Sequence, residues 1–245
     1  MSRRETGAPI MTMSWHDLLF LHWPMPVEAL RPLVPAALTI DTFDGSGWLG
    51  VVPFRMTRVR PLGLPLPGDR FAFAEINVRT YVTLGGRPGV WFLSLHGGDA
   101  LAALVARLAF GIPYFRARVS SSREGDGVVF ASRRPGPPPA EFRARYRPSG
   151  PVWSAPSGTL EHFLTNRLCL YATDRTGRIR RADIEHGPWP LQDAEVEISL
   201  DTMAASHGLA LPDVAPVVHF ARRLDVVGRR AALVPGGSDG GSGQA

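Results

Sequence analysis

Four side chains with chemical potential recur at every second position between Phe73 and Val82: Glu75, Asn77, Arg79 and Tyr81. Alternate residues of a strand share one face, so these four project together and Ile76, Val78, Thr80 and Val82 project opposite them. A solvated polar face would carry the same pattern. A face lining a cavity would instead place a carboxylate for proton transfer beside a guanidinium able to hold an anionic group. The next strand-like run, Val90–Leu95, splits into Phe92, Ser94 and His96 against Trp91, Leu93 and Leu95. Further on, Gly111 and Pro113 fix a tight entry into another strand and so hold Tyr114 and Phe115 at a defined place.

What the chain lacks narrows this chemistry. All 27 basic residues are arginine. A guanidinium keeps its proton in proteins and is no amine nucleophile. Schiff-base catalysis and pyridoxal phosphate attachment, which need lysine, are therefore excluded, as is a P-loop. The single cysteine, Cys169, can form neither an internal disulfide nor a cysteine-rich metal site. The seven histidines show no paired metal-ligand spacing, so neither a metal nor a cofactor is expected. The pI of about 10.3 accompanies a formal charge of only +5, and the arginines are scattered along the chain. Nucleic acid is not an expected partner.

Two formal motif matches fail on context. Gly45 to Gly50 fits the dinucleotide glycine pattern but leads into a strand rather than a helix, which makes it a hairpin turn. Gly236 to Gly240 fits the serine-hydrolase elbow but lies in a Gly/Ser-rich tail that cannot hold a strained turn.

The elements that must position these groups are mostly strands. Runs at 48–56, 71–84, 90–95, 115–121, 128–133, 141–147, 168–173, 179–185, 194–200 and 217–226 carry strand composition, with Gly85-Gly86 closing a hairpin. Glu141, Arg143, Arg145 and Arg147 alternate as an exposed charged face, and His186–Leu191 reads as a rigid aromatic packing loop. Helical patterns are short: 27–33, 100–110 with Asp99 as N-cap, 159–164 and 202–207. Residues 1–10 and 235–245 read as disordered flanks of a single domain at 11–234. The expected fold is mainly β (α+β), a β-rich barrel with a few short helices. No apolar run approaches the roughly 20 residues of a membrane helix, so a cytoplasmic protein without a membrane partner is expected.

Several of these segments together resemble the YqjF-like family of bacterial proteins. They are His22-Trp23-Pro24 with Ala29–Pro35, Gly50–Phe54, Glu75–Val82, Gly111–Phe115 and His186–Leu191. That family in turn resembles acetoacetate decarboxylase in fold, which implies a cone-like β barrel with a largely apolar interior site. The resemblance places the decarboxylase's strand glutamate at Glu75 and its lysine pair at Tyr114 and Phe115. A second glutamate maps near Val51 and an arginine near His16. The reactive amine and half of the acid/base pair are thus replaced, and imine-dependent decarboxylation is excluded.

Two functions remain open on this reading. One is lysine-independent acid/base chemistry on a small carbonyl or carboxylate compound. There Glu75 would be general acid or base, Tyr114 would donate to a substrate oxygen, and Arg79 would orient Glu75 or bind an anion. His16, Phe115, Asn77, Tyr81 and His96 complete the expected binding set. The other is a non-catalytic small-ligand binding or sensing protein that keeps the old cavity. A small molecule is the expected partner in both, and a homo-oligomer is compatible with either.

Overall fold

Seven strands form a closed ring: β1 (Pro9–Met25), β3 (Gly47–Pro61), β4 (Phe73–Leu84), β5 (Arg87–Gly97), β10 (Cys169–Thr173), β11 (Arg178–His186) and β13 (Val217–Arg229). Their order around it is β11-β10-β5-β4-β3-β1-β13, with β13 pairing back onto β11. The structure is a computed structural model, and it describes residues 8–62, 72–98 and 111–238. The ring closes where Ile184, Glu185 and His186 of β11 lie opposite Gly228, Val227 and Val226 of β13. The chain is mainly β, as composition and turn spacing predict.

Beyond β13 the sheet runs on through β12 (Leu191–Asp201), β9 (Ala140–Trp153), β8 (Gly127–Arg134) and β7 (Arg118–Glu124). This extension folds over the outer face of β1, β3 and β4. Val128, Phe130, Phe142 and Tyr146 share one apolar core with Leu21, Val51, Ile76 and Val78. Strand β4 is therefore covered on both sides, and its polar face looks into the ring rather than to solvent. Short strands β2 (Thr39–Ile40), β6 (Tyr114–Arg116) and β14 (Ala232–Ser238) add to β4, β5 and β11.

Local sequence accounts for most of these elements. Gly85 and Gly86 take φ of 59° and 72°, the mirror-image turn that matches strand twist, and Leu84 pairs with Arg87 across it. The Asp44–Gly47 turn leads into β3 as expected. Thr159 caps the helix Leu160–Thr165, its hydroxyl accepting from the His162 amide at 3.3 Å. The charged face of β9 is exposed and laced by ion pairs such as Arg147–Glu195 at 2.6 Å.

The structure also departs from the sequence reading. The 17-residue β1 has no counterpart among the expected strands, because its Leu18–Leu21 run is buried on both sides and Asp17 breaks the alternation. Asp17 takes a φ of 54° and is held by Arg123 at 2.7 Å, so Trp15 and Leu18 both turn inward. The run expected at 115–121 is split into β6 and β7 at Ala117. Strand β14 extends into the Gly/Ser tail, pairing Ser238 with Arg178. Of the expected helices, 27–33 is one α turn followed by a 3-10 turn, and 202–207 retains only the 3-10 turn Ala205–His207. The helix expected at 100–110, with its cap at Asp99, lies outside the described residues.

Candidate active site

The ring encloses a cavity of about 450 Å³. Strand β1 lends it Met11, Met13, Trp15 and Leu18, and strand β3 lends Val52, Phe54 and Met56. Strand β4 contributes Glu75, Asn77 and Arg79 from its inward face. Trp189, from the aromatic loop after β11, stacks on Trp15 at 6.0 Å between ring centroids and meets Phe20 edge-on at 5.0 Å. That loop packs, as its composition implies, and it also forms cavity wall.

Glu75 and Tyr114 meet through a glycine. Glu75 lies opposite Gly97 on β5, while Tyr114 enters on β6, which runs parallel to β5 with Tyr114 beside Leu95. A β-carbon on Gly97 would overlap the Tyr114 hydroxyl and stand 2.7 Å from the ring carbon that bears it. Only glycine leaves room for the phenol there. Burial pushes the Glu75 pKa up to about 8, with the Tyr114 hydroxyl pulling it partly back by hydrogen bonding. Glu75 thus keeps its proton at neutral pH. Among the described lining residues it is the single carboxylate, since β3 offers only Val52, Phe54, Met56, Val59 and Pro61 on this face.

Arg79 stands four residues along β4, about 13 Å from Glu75 at strand rise. The groups that act on the Glu75 carboxyl are its burial and Tyr114, with Arg79 not among them. Its guanidinium carbon lies 5.6 Å from the Phe20 ring centre and 5.8 Å from that of Tyr81. Gly50, opposite Arg79 on β3, leaves space for the His22 ring and the Arg79 stem to approach across it. Asn77 lies between Glu75 and Arg79 on the same face, its Oδ1 buried without a hydrogen bond. Arg167 borders the same end of the cavity, pairs with Asp41 and stacks on Phe163 and Tyr81.

The other expected binding residues fall outside the cavity. Trp15 points in, so its neighbour His16 points out, where its Nε2 meets the Thr57 hydroxyl at 2.9 Å. Desolvation and Arg55 lower the His16 pKa. Tyr81 continues the β4 face, but its hydroxyl is bonded to His22 Nε2 at 2.6 Å and its ring backs Arg79. His22 is wholly buried and held neutral, its pKa well below the usual range through burial and the Arg79 charge.

His96 is displaced by a bulge, and Phe115, the next residue after the inward-facing Tyr114 on β6, faces out beside it. The β4–β5 register pairs Val78 with Ser94 but Arg79 with Phe92, leaving Leu93 as an extra residue. A one-residue slip exchanges faces. Phe92 and Leu95 therefore line the cavity, whereas His96 lies outside it against Phe115 at 5.8 Å. Arg134 covers Phe115 at 4.8 Å. Burial holds His96 neutral, with a pKa of about 3.

Sequence reasoning misses Gly97, Arg167, His22 and Gly50 as parts of this site. The last two do lie in segments that carry the family resemblance. Among the described residues no group of three or more His, Cys, Asp or Glu could hold a metal ion, and no helix is long and apolar enough to cross a membrane.

Comparison with known proteins supports the same architecture. Enduracididine biosynthesis enzyme MppR complexed with pyruvate superposes with a TM-score of 0.65 at 15% identity, covering 95% of this chain and 92% of that one. An acetoacetate decarboxylase-like enzyme from Sphingomonas wittichii RW1 gives 0.64 at 15%, covering 93% and 94%. Acetoacetate decarboxylase from Legionella pneumophila gives 0.61 at 14%, covering 93% and 88%. At such identities the likeness establishes the fold alone. In sequence, the uncharacterized protein YqjF of Bacillus subtilis (strain 168) is 44% identical over 222 residues, 90% of this chain and 91% of that one. Residues 12–225 match the DUF2071 family, described as an uncharacterized conserved protein, and the chain belongs to that family.

Proposed function

We propose that the protein performs lysine-independent acid/base chemistry on a small carbonyl or carboxylate compound held inside the barrel. The observation that carries this reading is the buried Glu75 carboxyl, with its pKa raised to about 8, facing the Tyr114 phenol in an otherwise apolar cavity. A group that titrates near the working pH can both give and take a proton. Tyr114 donates a hydrogen bond to the substrate's carbonyl oxygen. The ionised fraction of Glu75 removes a proton from the adjacent carbon, and the resulting enolate oxygen keeps the phenol's hydrogen bond. The proton taken up by Glu75 is traded with solvent, and delivery of a solvent-derived proton from Glu75 to the same carbon restores the ketone and the carboxylate, so atoms and charge balance.

The test is deuterium incorporation next to the carbonyl of pyruvate, 2-oxobutanoate and 4-oxopentanoate in D2O, followed by proton NMR. Pyruvate is a natural first probe, because a protein of like fold was solved with it bound. Glu75→Gln is expected to slow exchange by about 100-fold or more, with folding retained. Exchange equal to buffer across the panel, or undiminished in the variant, would overturn the reading.

A binding protein without turnover is the second reading. It is favoured by the lining itself, which holds one carboxylate and no amine. Saturable binding of the same probes without isotope exchange would establish it.

A further inference from the structure

Arg79 carries a charge that the described residues do not neutralise. Its Nε is buried without a hydrogen-bond partner, and none of the carboxylates described lies within ion-pair distance. Neighbouring groups are already engaged. The Tyr81 hydroxyl is bonded to His22, His22 is neutral, and Asp41 is held by Arg167. A guanidinium cannot shed its proton, so a half-buried one with its Nε shut away from water and no carboxylate beside it calls for an anion. Contact with the Phe20 and Tyr81 rings fixes its position without cancelling its charge.

Arg79 faces the same cavity as Glu75, from the same side of β4. Their positions are about 13 Å apart along the strand. Between them the face offers only Asn77, and Trp15, Leu18, Val52 and Phe54 make the surrounding wall apolar. A ligand of two to four carbons cannot occupy both ends. We propose that the cavity takes a medium-chain keto carboxylate, with its carboxylate on Arg79, its chain along the apolar wall and its ketone at Tyr114. This deepens the acid/base reading and rests on it for which end of the ligand reacts.

The experiment is isothermal titration of the full chain with 7-oxooctanoate, its methyl ester and 4-oxopentanoate. The long acid is expected to bind about tenfold or more tightly than either of the others, the scale of one charge-assisted contact. Arg79→Met should erase the preference for acid over ester while the ester still binds, and Arg79→Lys should keep much of it. The wild-type comparison needs no variant, so a folding defect in Arg79→Met leaves the proposal open to refutation. Equal affinity for acid and ester, or for the long and short acids, would overturn it. If isotope exchange on pyruvate persists while acid selectivity fails, the acid/base reading stands and this one falls. If acid-selective binding appears without exchange on any probe, the keto-carboxylate site stands and the acid/base reading falls.

Discussion

The Tyr114 phenol occupies the volume that a side chain on Gly97 would need, and Gly97 is the cross-strand neighbour of Glu75. The meeting of acid and phenol therefore depends on a position that has no side chain at all. The phenol is a hydrogen-bond donor offered to the cavity, while its neighbour Phe115 faces outward against His96.

Gly97→Ala should expel the phenol from its place. Forcing a methyl into that contact costs about 1–3 kcal/mol, read as a lower denaturation midpoint in urea. Because the Tyr114 hydrogen bond lowers the Glu75 pKa, its loss should move that pKa further up. A carbon-13 NMR titration of the glutamate carboxyls would register the shift, and an unmoved pKa would dissociate the two residues.

The folded protein should lose stability as pH rises through the range where only the unfolded chain ionises Glu75. Unfolded, the group titrates near its ordinary value of 4.5; folded, it holds its proton to about 8. Between those values its contribution falls by about 1.4 kcal/mol per pH unit, and above them the loss is complete. Glu75→Gln should remove this component, so the variant gains on wild type from pH 5 to pH 8. Parallel urea denaturation curves at these pH values would check the sign.

Asp41→Asn should destabilise the far end of the cavity. Arg167 is buried, at 6% exposure, and Asp41 is its counter-charge. Removing the partner of a buried charge costs several kcal/mol in full burial; with Asp41 partly exposed, about 2 kcal/mol is expected. Thermal denaturation would show a midpoint several degrees lower, with no such loss for Glu195→Gln on the exposed Arg147 pair.

How far the site is legible in the sequence follows from its periodicity. The alternation Glu75-Asn77-Arg79 is readable because β4 is regular there, and the structure brings all three to the cavity wall. The placement of His96 is not readable. Leu93 inserts one extra residue into β5, and nothing in a run of Trp, Phe and Leu marks which position is surplus. His16 fails as a site residue for a related reason, since the left-handed turn at Asp17 redirects β1 and is imposed by distant arginines such as Arg123. Gly97 is silent because its role is to be small against a tyrosine 17 positions later. The barrel itself can be anticipated from strands, turns and family resemblance, whereas the layer laid over β1, β3 and β4 is a matter of long-range packing.

The ring of strands is not equally strong around its circumference. The contact of β11 with β13 spans Ile184, Glu185 and His186, and that of β10 with β5 spans only Leu170 and Tyr171, whereas β1 pairs with β13 from Pro9 to His22. Short seams breathe first, because fewer bonds must break together. Ile184 and Leu170, which flank these two seams, both border the cavity. The barrel wall is therefore weakest on either side of the β10–β11 pair, and amide hydrogen exchange along these two seams should outpace that along β1 and β13.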